Sequence, residues 1–311
     1  MQIKKWHETP FGEENENIII ESYKRLGSIN AVYRETGLNQ KRIKQFLSKR
    51  GIVYKTILYK NYRSSLFDSI ESHEMAYFMG FLVSDGCFFV RKDKYKSHIV
   101  KLVLKADDFE VLNQIGSLIV DGDGPYITFS KNQGRSYAVL GIQDSFASKK
   151  IFDLGFHPNK TWTIKVDPRM HGNGRFINSF VLGLFDGDGC FFRGHRKKIS
   201  KKRGVRFIRR YGVTYTGNEY ITQFLYDFLI KNGIESTRSV DPRYLEKENK
   251  IYNVRFSKEA LVKKFGEIIY GDSKIFLKRK RNRYEEFLRY INRDIYSENI
   301  REKKTSFKDE Y

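Results

Sequence analysis

Two aspartate–glycine pairs stand at matching places in a repeated sequence. Residues 79–89 read MGFLVSDGCFF and residues 182–192 read LGLFDGDGCFF, and the two segments are identical at six of eleven positions in register. Each apolar, helix-like stretch ends in an acid, Asp85 or Asp188, whose carboxylate faces the negative end of the helix dipole. Two such carboxylates repel each other unless a divalent cation lies between or beside them, and hard oxygen ligands suit Mg²⁺. Sites of this kind clamp the attacking and leaving oxygens of a phosphodiester.

Small residues spaced four apart predict how the two acids meet. They are Gly80 and Ser84 in the first segment, and Gly183 and Gly187 in the second. Because residues at i and i+4 share one helix face, two such helices can pack closely side by side and end together. The alternative is that each Asp-Gly is an ordinary helix C-terminal turn and each glycine a local packing feature. The duplication in register favours the paired helices.

The elements that must position these acids also occur twice. The first copy predicts a helix over 73–84, strands over 87–92 and 98–105, a helix over 107–120, strands over 126–130 and 137–142, and a helix over 144–155. The second predicts a helix over 175–187, strands over 190–195 and 206–215, a helix over 218–232, strands over 237–240 and 251–256, and helices over 258–270 and 272–292. The order αββαββα, used twice, predicts an α+β fold with pseudo-twofold symmetry.

The N-terminal region predicts a separate module of three short helices. A turn containing glycine precedes a basic last helix, which is the helix-turn-helix pattern. On that last helix the outward residues suit major-groove base edges and phosphates; they are Gln40, Lys41, Lys44 and Gln45. The alternative is a small helical bundle with a solvated basic face, and the charge of the whole chain favours DNA binding.

We therefore predict four segments along the chain. They are a helix-turn-helix domain over 1–55, a linker over 56–72, a first half-domain over 73–168, and a second half-domain with a C-terminal helix over 169–311.

The net charge of the 311 residues is +21, which points to a polyanionic partner. No apolar run approaches the about 20 residues that a membrane span needs, and the first residues do not resemble a signal peptide. Nucleic acid is therefore favoured over a membrane surface. The two cysteines, Cys87 and Cys190, occupy matching positions of the repeat, and shared ancestry explains them without a disulfide or a metal. We expect a cytoplasmic, DNA-associated protein.

Two clusters of basic residues lie at equivalent places of the two copies. The segment 193–210 contains ten Arg or Lys residues and no acid, and it spans the predicted turn between the first two strands of the second copy. A charged run is often a solvated loop, but two runs beside two acid-bearing helices suit a footprint on duplex DNA. The candidate contacts are Arg91, Lys92, Lys101, Arg193, Arg196, Lys197, Lys198, Arg206 and Arg209.

The paired motifs resemble those of the LAGLIDADG homing endonucleases, as FMGFLVSDG over 78–86 and VLGLFDGDG over 181–189. The resemblance covers roughly residues 73–292. It implies a saddle of two sheets over DNA and metal-dependent cleavage of both strands across the minor groove. The last acid of each motif is the catalytic one, here Asp85 and Asp188. The backbone of Gly86 and Gly189 is expected to complete the metal site.

The resemblance also implies basic residues that stabilise charge on the phosphate. Lys160 follows the last helix of the first half, and Lys278 follows that of the second, with Lys280 as a close alternative. The earlier motif acid is present as Asp186 but is replaced by Val83 in the first copy, so the halves are unequal.

The sequence thus predicts a single-chain, monomeric, site-specific DNA endonuclease that uses Mg²⁺, with Mn²⁺ able to substitute, on a long asymmetric target. No obligate protein partner is expected. The chain lacks the terminal residues of protein splicing, so we expect a free-standing or intron-encoded enzyme. Two alternatives remain open: a transcription regulator that binds DNA without cutting it, and an RNA splicing cofactor.

Overall fold

The computed structural model describes residues 13–26, 29–52, 62–92, 97–121, 127–142, 144–200 and 204–306. The chain forms two compact units, Met1–Tyr59 and Lys60–Tyr311. Within the described residues no helix is long and apolar enough to cross a membrane.

The first unit contains three helices around a small apolar core. They are α1 (Glu13–Leu26), α2 (Ile29–Thr36) and α3 (Gln40–Lys49). Ile19, Val32, Ile43 and Leu47 are fully buried between them. Helix α3 begins where the side chain of Asn39 accepts a hydrogen bond of 2.8 Å from the backbone N–H of Lys41, which caps the helix.

The second unit begins with one αββαββα half. Its elements are α4 (His73–Asp85), β1 (Gly86–Val90), β2 (His98–Lys105), α5 (Phe109–Ile119), β3 (Ile127–Asn132), β4 (Arg135–Ile142) and α6 (Ser145–Asp153). The strands form an antiparallel sheet in the order β1-β2-β4-β3. Helix α4 begins after Ser72, whose side chain accepts the N–H of Met75, and it is buried on all sides from Met75 to Val83. A helix that is apolar all round belongs in the centre of a core.

The second half repeats this order. After the short helix α7 (Lys160–Thr163) come α8 (Ile177–Asp188), β5 (Gly189–Ser200), β6 (Gly204–Gly217), α9 (Glu219–Lys231), β7 (Thr237–Val240), β8 (Tyr252–Phe256), α10 (Glu259–Tyr270) and α11 (Lys278–Ser306). The second sheet has the order β5-β6-β8-β7, and one apolar core joins both halves. Two antiparallel four-stranded sheets with covering helices confirm the α+β prediction.

The basic strands β5 and β6 are longer than predicted. The predicted strands end at 195 and begin again at 206, whereas the ladder runs from the pair Gly189–Tyr215 to the pair Ser200–Gly204. Charge does not end a strand, and the segment retains strand-forming residues such as the exposed cross-strand pair Ile199 and Val205. The predicted strand ends at this turn are therefore wrong.

The last helix begins later than predicted. A start at Asp272 was expected, but α11 begins at Lys278 and continues to Ser306. Ile275 and Leu277 are buried in the common core. Burial of this extended segment delays the helix and sets which residues of its first turn face inward.

Helices α4 and α8 contact each other through their backbones. A Cβ added to Gly80 would lie 2.0 Å from the carbonyl oxygen of Phe180, and one added to Gly183 would lie 2.0 Å from that of Tyr77. Further along, a Cβ on Gly187 would lie 2.1 Å from the Cβ of Ser84. Glycine at 80, 183 and 187 allows this approach, and the two helices end side by side.

We predict that Gly183→Ala destabilises the protein by at least about 1–3 kcal/mol, because the new methyl group overlaps the backbone of α4. Gly194→Ala is the matched control, since nothing lies within 4 Å of a Cβ added there; its effect should stay within about 0.5 kcal/mol. Urea unfolding of both variants measures the difference. Equal, small effects at the two positions would contradict the close helix contact.

Candidate active site

The close helix contact brings two carboxylates to one end of the helix pair. Asp85 is the last residue of α4 and Asp188 the last residue of α8. Oδ2 of Asp85 lies 3.4 Å from the position that a Cβ of Gly187 would occupy, so this carboxylate rests against the backbone of the other helix. The hydroxyl of Ser84 donates across the same junction to the carbonyl oxygen of Leu184 at 2.9 Å.

Both acids have raised pKa values. Burial, and next the charge of Asp188, raise the pKa of Asp85 to about 6, while Lys280 and Lys160 oppose the rise. Burial also raises the pKa of Asp188, although more of its surface reaches solvent than that of Asp85. Two carboxylates that lose hydration beside two negative helix ends favour a positive ligand.

Two lysines border the carboxylates, and of these Lys280 is buried and Lys160 is half-buried. Nζ of Lys160 donates to the carbonyl oxygens of Val83 (2.6 Å) and Ser84 at the end of α4. Nζ of Lys280 donates to three carbonyl oxygens at the end of α8, those of Phe185 (2.6 Å), Gly187 (3.0 Å) and Gly189 (2.6 Å). Each ammonium therefore satisfies helix C-terminal carbonyls and offsets the dipole.

Burial lowers the pKa of both lysines, to about 8 for Lys280. For Lys280 the charge of Asp186 is the largest opposing influence, and for Lys160 it is that of Asp188.

The structure places Lys280, and not Lys278, beside the carboxylates. Lys278 is exposed, and its ammonium pairs with Glu110 of the first half. Residues two apart on a helix point about 200° away from each other, so only one of the two can face the pair. The sequence choice of Lys278 is corrected to its alternative, Lys280, which occupies the place equivalent to that of Lys160. The late start of α11 decides this.

The two motif glycines serve packing. A Cβ on Gly86 would lie 2.4 Å from the carbonyl oxygen of Leu82, and one on Gly189 would lie 2.0 Å from the ring of Phe185. The carbonyl of Gly189, expected as a backbone metal ligand, accepts a hydrogen bond from Lys280.

The donor set at the helix ends fits a hard divalent cation. It consists of two carboxylates on backbones in contact, with lysines committed to neighbouring carbonyls. In the described part of the chain no group of three or more His, Cys, Asp or Glu residues could hold a metal. A cation that keeps several waters and binds one or two carboxylates plus a substrate phosphate suits this set, which is the behaviour of Mg²⁺.

One buried residue near the pair escaped sequence reasoning. Tyr215 of β6 is 2% exposed, and its hydroxyl lies 3.5 Å from that of Ser84. Burial, and next the charge of Asp188, raise its pKa. Tyr215 pairs with Gly189 in the ladder between β5 and β6. Its contact with Ser84 depends on this strand register, which cannot be derived from the sequence.

The basic residues predicted to contact DNA have differing surroundings. Arg91, Lys92 and Lys197 are exposed, and Lys101 is half-buried with its Nζ 5.1 Å from the ring centre of Phe89. Arg193 is exposed but forms a 2.7 Å ion pair with Glu286. The remaining four lie on the β5–β6 ladder with side chains outside the described residues; they are Arg196, Lys198, Arg206 and Arg209. On α3 of the first unit, Gln40, Lys41 and Gln45 are exposed and Lys44 is half-buried.

Arg255 is a further exposed cation that the sequence reading missed. It lies on β8 between the buried residues Val254 and Phe256, so it points to the opposite face of the sheet. Its guanidinium is 4.5 Å from the ring centre of Phe192, the repeat equivalent of Phe89. The alternation in YNVRF was the available signal.

Comparison with known proteins shows which solved structures have a similar fold. No family model and no curated protein matches the sequence. The meganuclease I-SmaMI bound to uncleaveable DNA with a TTCT central four is similar with a TM-score of 0.51 and 14% identity, over 72% of this chain and 92% of that one. I-SmaMI is a LAGLIDADG homing endonuclease. A second, I-LtrWI bound to target DNA, gives a TM-score of 0.49 and 11% identity, over 71% and 90%. The likeness to I-SmaMI shows the homing endonuclease fold.

We predict that Asp85→Asn stabilises the protein in EDTA. A carboxyl whose pKa is higher in the folded than in the unfolded chain destabilises the fold wherever it is ionised. The penalty is complete above about pH 6 and disappears as the pH falls to about 4, the unfolded value. Unfolding free energies at pH 8 should rise by about 1–3 kcal/mol, and the gain should shrink by pH 4.

The control for that measurement is Asp272→Asn, which alters an exposed aspartate of the same unit. A loss of stability for Asp85→Asn at pH 8 in EDTA would show that the carboxylate is structurally favourable, contrary to this account.

Proposed function

We propose that this chain is a site-specific DNA endonuclease that hydrolyses phosphodiesters with a divalent metal. The observation that carries the proposal is the pair of carboxylates, Asp85 and Asp188, at adjoining helix ends with a lysine held at each end by main-chain carbonyls. The fold supports it, since similar structures are bound to DNA. The net charge of +21 supports a nucleic acid partner.

Asp85 and Asp188 would hold the cation through carboxylate oxygens. We propose Mg²⁺, with Mn²⁺ able to substitute, because the donors are hard oxygens. When bound, the cation supplies charge neutralisation at the phosphate and activation of a water molecule. The two acids bind and orient it, and the helix contact keeps them on one side of the scissile bond.

Lys160 and Lys280 would act as fixed positive charges. Their ammonium groups are held by main-chain carbonyls, so they need not reorganise as negative charge develops on the phosphate. Because each lies at the end of a different motif helix, we assign one lysine to each strand.

DNA would lie along the faces of the two sheets that the helices leave open. Arg91, Lys92 and Lys101 of the first half, and Lys197 with Arg255 of the second, supply cations there. Arginine over an aromatic ring is preorganised for base edges. The side chains differ between the halves, so we propose a long asymmetric target read by one chain acting as a monomer.

We also propose that the N-terminal unit is a helix-turn-helix domain that extends the target. Its helix α3 exposes Gln40, Lys41 and Gln45. Glutamine suits adenine edges, and lysine suits guanine edges or phosphates. We also propose that the protein is a free-standing or intron-encoded enzyme.

The test uses the DNA locus that flanks the gene, joined without the gene, with Mg²⁺ or with EDTA. We predict a double-strand break with Mg²⁺ alone. Asp85→Asn and Asp188→Asn should each slow cleavage by at least about 100-fold, because each removes a carboxylate that would hold the cation stabilising negative charge in the transition state. DNA affinity in Ca²⁺ should remain close to that of the unaltered chain.

Binding without a break under Mg²⁺ or Mn²⁺ would overturn the endonuclease and favour a non-cleaving regulator. Preferential binding of the intron transcript would favour a splicing cofactor. Cleavage retained by both Asn variants would show that the acids are misassigned.

A further inference from the structure

Asp186 is a buried acid that the two-carboxylate site does not use. It is 0% exposed, in the last turn of α8. Its Oδ2 accepts the hydroxyl of Tyr77 at 2.9 Å and the backbone N–H of Leu277 at 2.7 Å. Tyr77 belongs to α4 and Leu277 precedes α11, so one oxygen joins three segments.

The fold itself does not require an acid here. The equivalent residue of α4 is Val83, which is buried at 4% exposure. The Oδ1 of Asp186 has no hydrogen-bond partner among the described residues. A buried carboxyl with one unsatisfied oxygen costs stability. An apolar residue at the matching place shows that the cost is avoidable, so the acid has a role particular to the second half.

Hydrogen bonds connect this acid to Lys280. Asp186 holds the N–H of Leu277, and the carbonyl of the same Leu277 accepts the backbone N–H of Lys280 at 3.0 Å. The side chain of Lys280 then returns to α8, where Nζ donates to the carbonyls of Phe185 and Gly187 on either side of Asp186. The links form a closed ring that fixes where α11 begins and where its ammonium lies.

The described residues of the first half form no such ring. A valine side chain cannot accept a hydrogen bond, and Lys160 opens a four-residue helix after Asn159. Asn159 has a left-handed backbone (φ 64°) and makes no side-chain cap hydrogen bond. The two lysines are thus equivalent in place but are positioned by different means.

We propose that Asp186 is the positioning residue for Lys280 and thereby supports cleavage of one DNA strand more than the other. The inference rests on the proposed function for its effect on cleavage. Loss of the anchor should displace Lys280 and leave Lys160 in place. A misplacement of about 1 Å in a positioning group costs about 100-fold in rate.

The first experiment measures nicking of each strand under single turnover, on a duplex with a different label on each strand. Asp186→Val, which copies the first half, should slow one strand about 10- to 100-fold more than the other. Lys280→Met should slow the same strand, and Lys160→Met the opposite one. Asp186→Asn keeps an acceptor for Leu277 and should recover most of the rate.

Tyr77→Phe is the matched control. It removes the other hydrogen bond to Asp186 and leaves the one to Leu277, so the ratio between the strands should not change. Equal slowing of both strands by Asp186→Val, or an unchanged ratio, would overturn the positioning role. If Asp186→Val does not fold, Asp186→Ala, which adds no methyl group, is measured in its place.

The second experiment does not depend on cleavage. Lysine acetylation by a limiting reagent, followed by peptide mass spectrometry, reports how accessible each ammonium is. Lys280 is 7% exposed in the intact chain, whereas 72% of the Lys278 side chain is exposed. In Asp186→Val, or in Asp186→Ala if the valine variant does not fold, the extent of acetylation of Lys280 should rise to that of Lys278. The extent of acetylation of Lys160 should stay unchanged.

The two experiments separate two kinds of failure. A wild-type chain that nicks no DNA would refute the proposed function. The acetylation experiment would still test whether Asp186 positions Lys280. Lys280 remaining protected in that variant would overturn the anchor even if the chain is a nuclease.

Discussion

Direct backbone contact between α4 and α8 is the constraint on which the rest of the second unit depends. Glycines at 80 and 183 each face a carbonyl oxygen of the opposite helix, where a single methyl group would lie at 2.0 Å. Because the contact continues to Gly187 and Ser84, both helices end at one place, and each ends in an aspartate. The two sheets then start directly from these ends, at Gly86 and Gly189. The packing of α4 against α8 therefore also determines where the two aspartates lie.

Charge balance at that junction follows from the same contact. Two helix C-termini and two carboxylates concentrate negative charge there. Burial raises the pKa of both acids, and the charge of Asp188 adds to the rise for Asp85. Lys160 and Lys280 offset part of it by binding the terminal carbonyls. The two lysines are positioned differently, because of the two only Lys280 is connected by hydrogen bonds through Leu277 to a buried acid, Asp186. A duplicated fold can therefore carry two sites that differ in how firmly they are built.

The sequence predicted what repeats and missed what depends on tertiary register. Small residues spaced four apart and a duplicated element order were enough for the helix pair and the α+β class. Lys280 could not be separated from Lys278, because the choice depends on where α11 begins, which the burial of Ile275 and Leu277 decides. The strands of the basic hairpin were predicted too short, because the charge of residues 196–200 masked their strand character. Tyr215 was missed because cross-strand neighbours are distant in sequence.

We propose that the contact between α4 and α8 holds a divalent cation over DNA. Anomalous diffraction from a crystal of the intact chain with its target DNA and Mn²⁺ tests this proposal. We expect manganese within about 2.0–2.6 Å of carboxylate oxygens of both Asp85 and Asp188, with the remaining ligands from water and phosphate. Manganese bound elsewhere, with neither aspartate in contact, would contradict it.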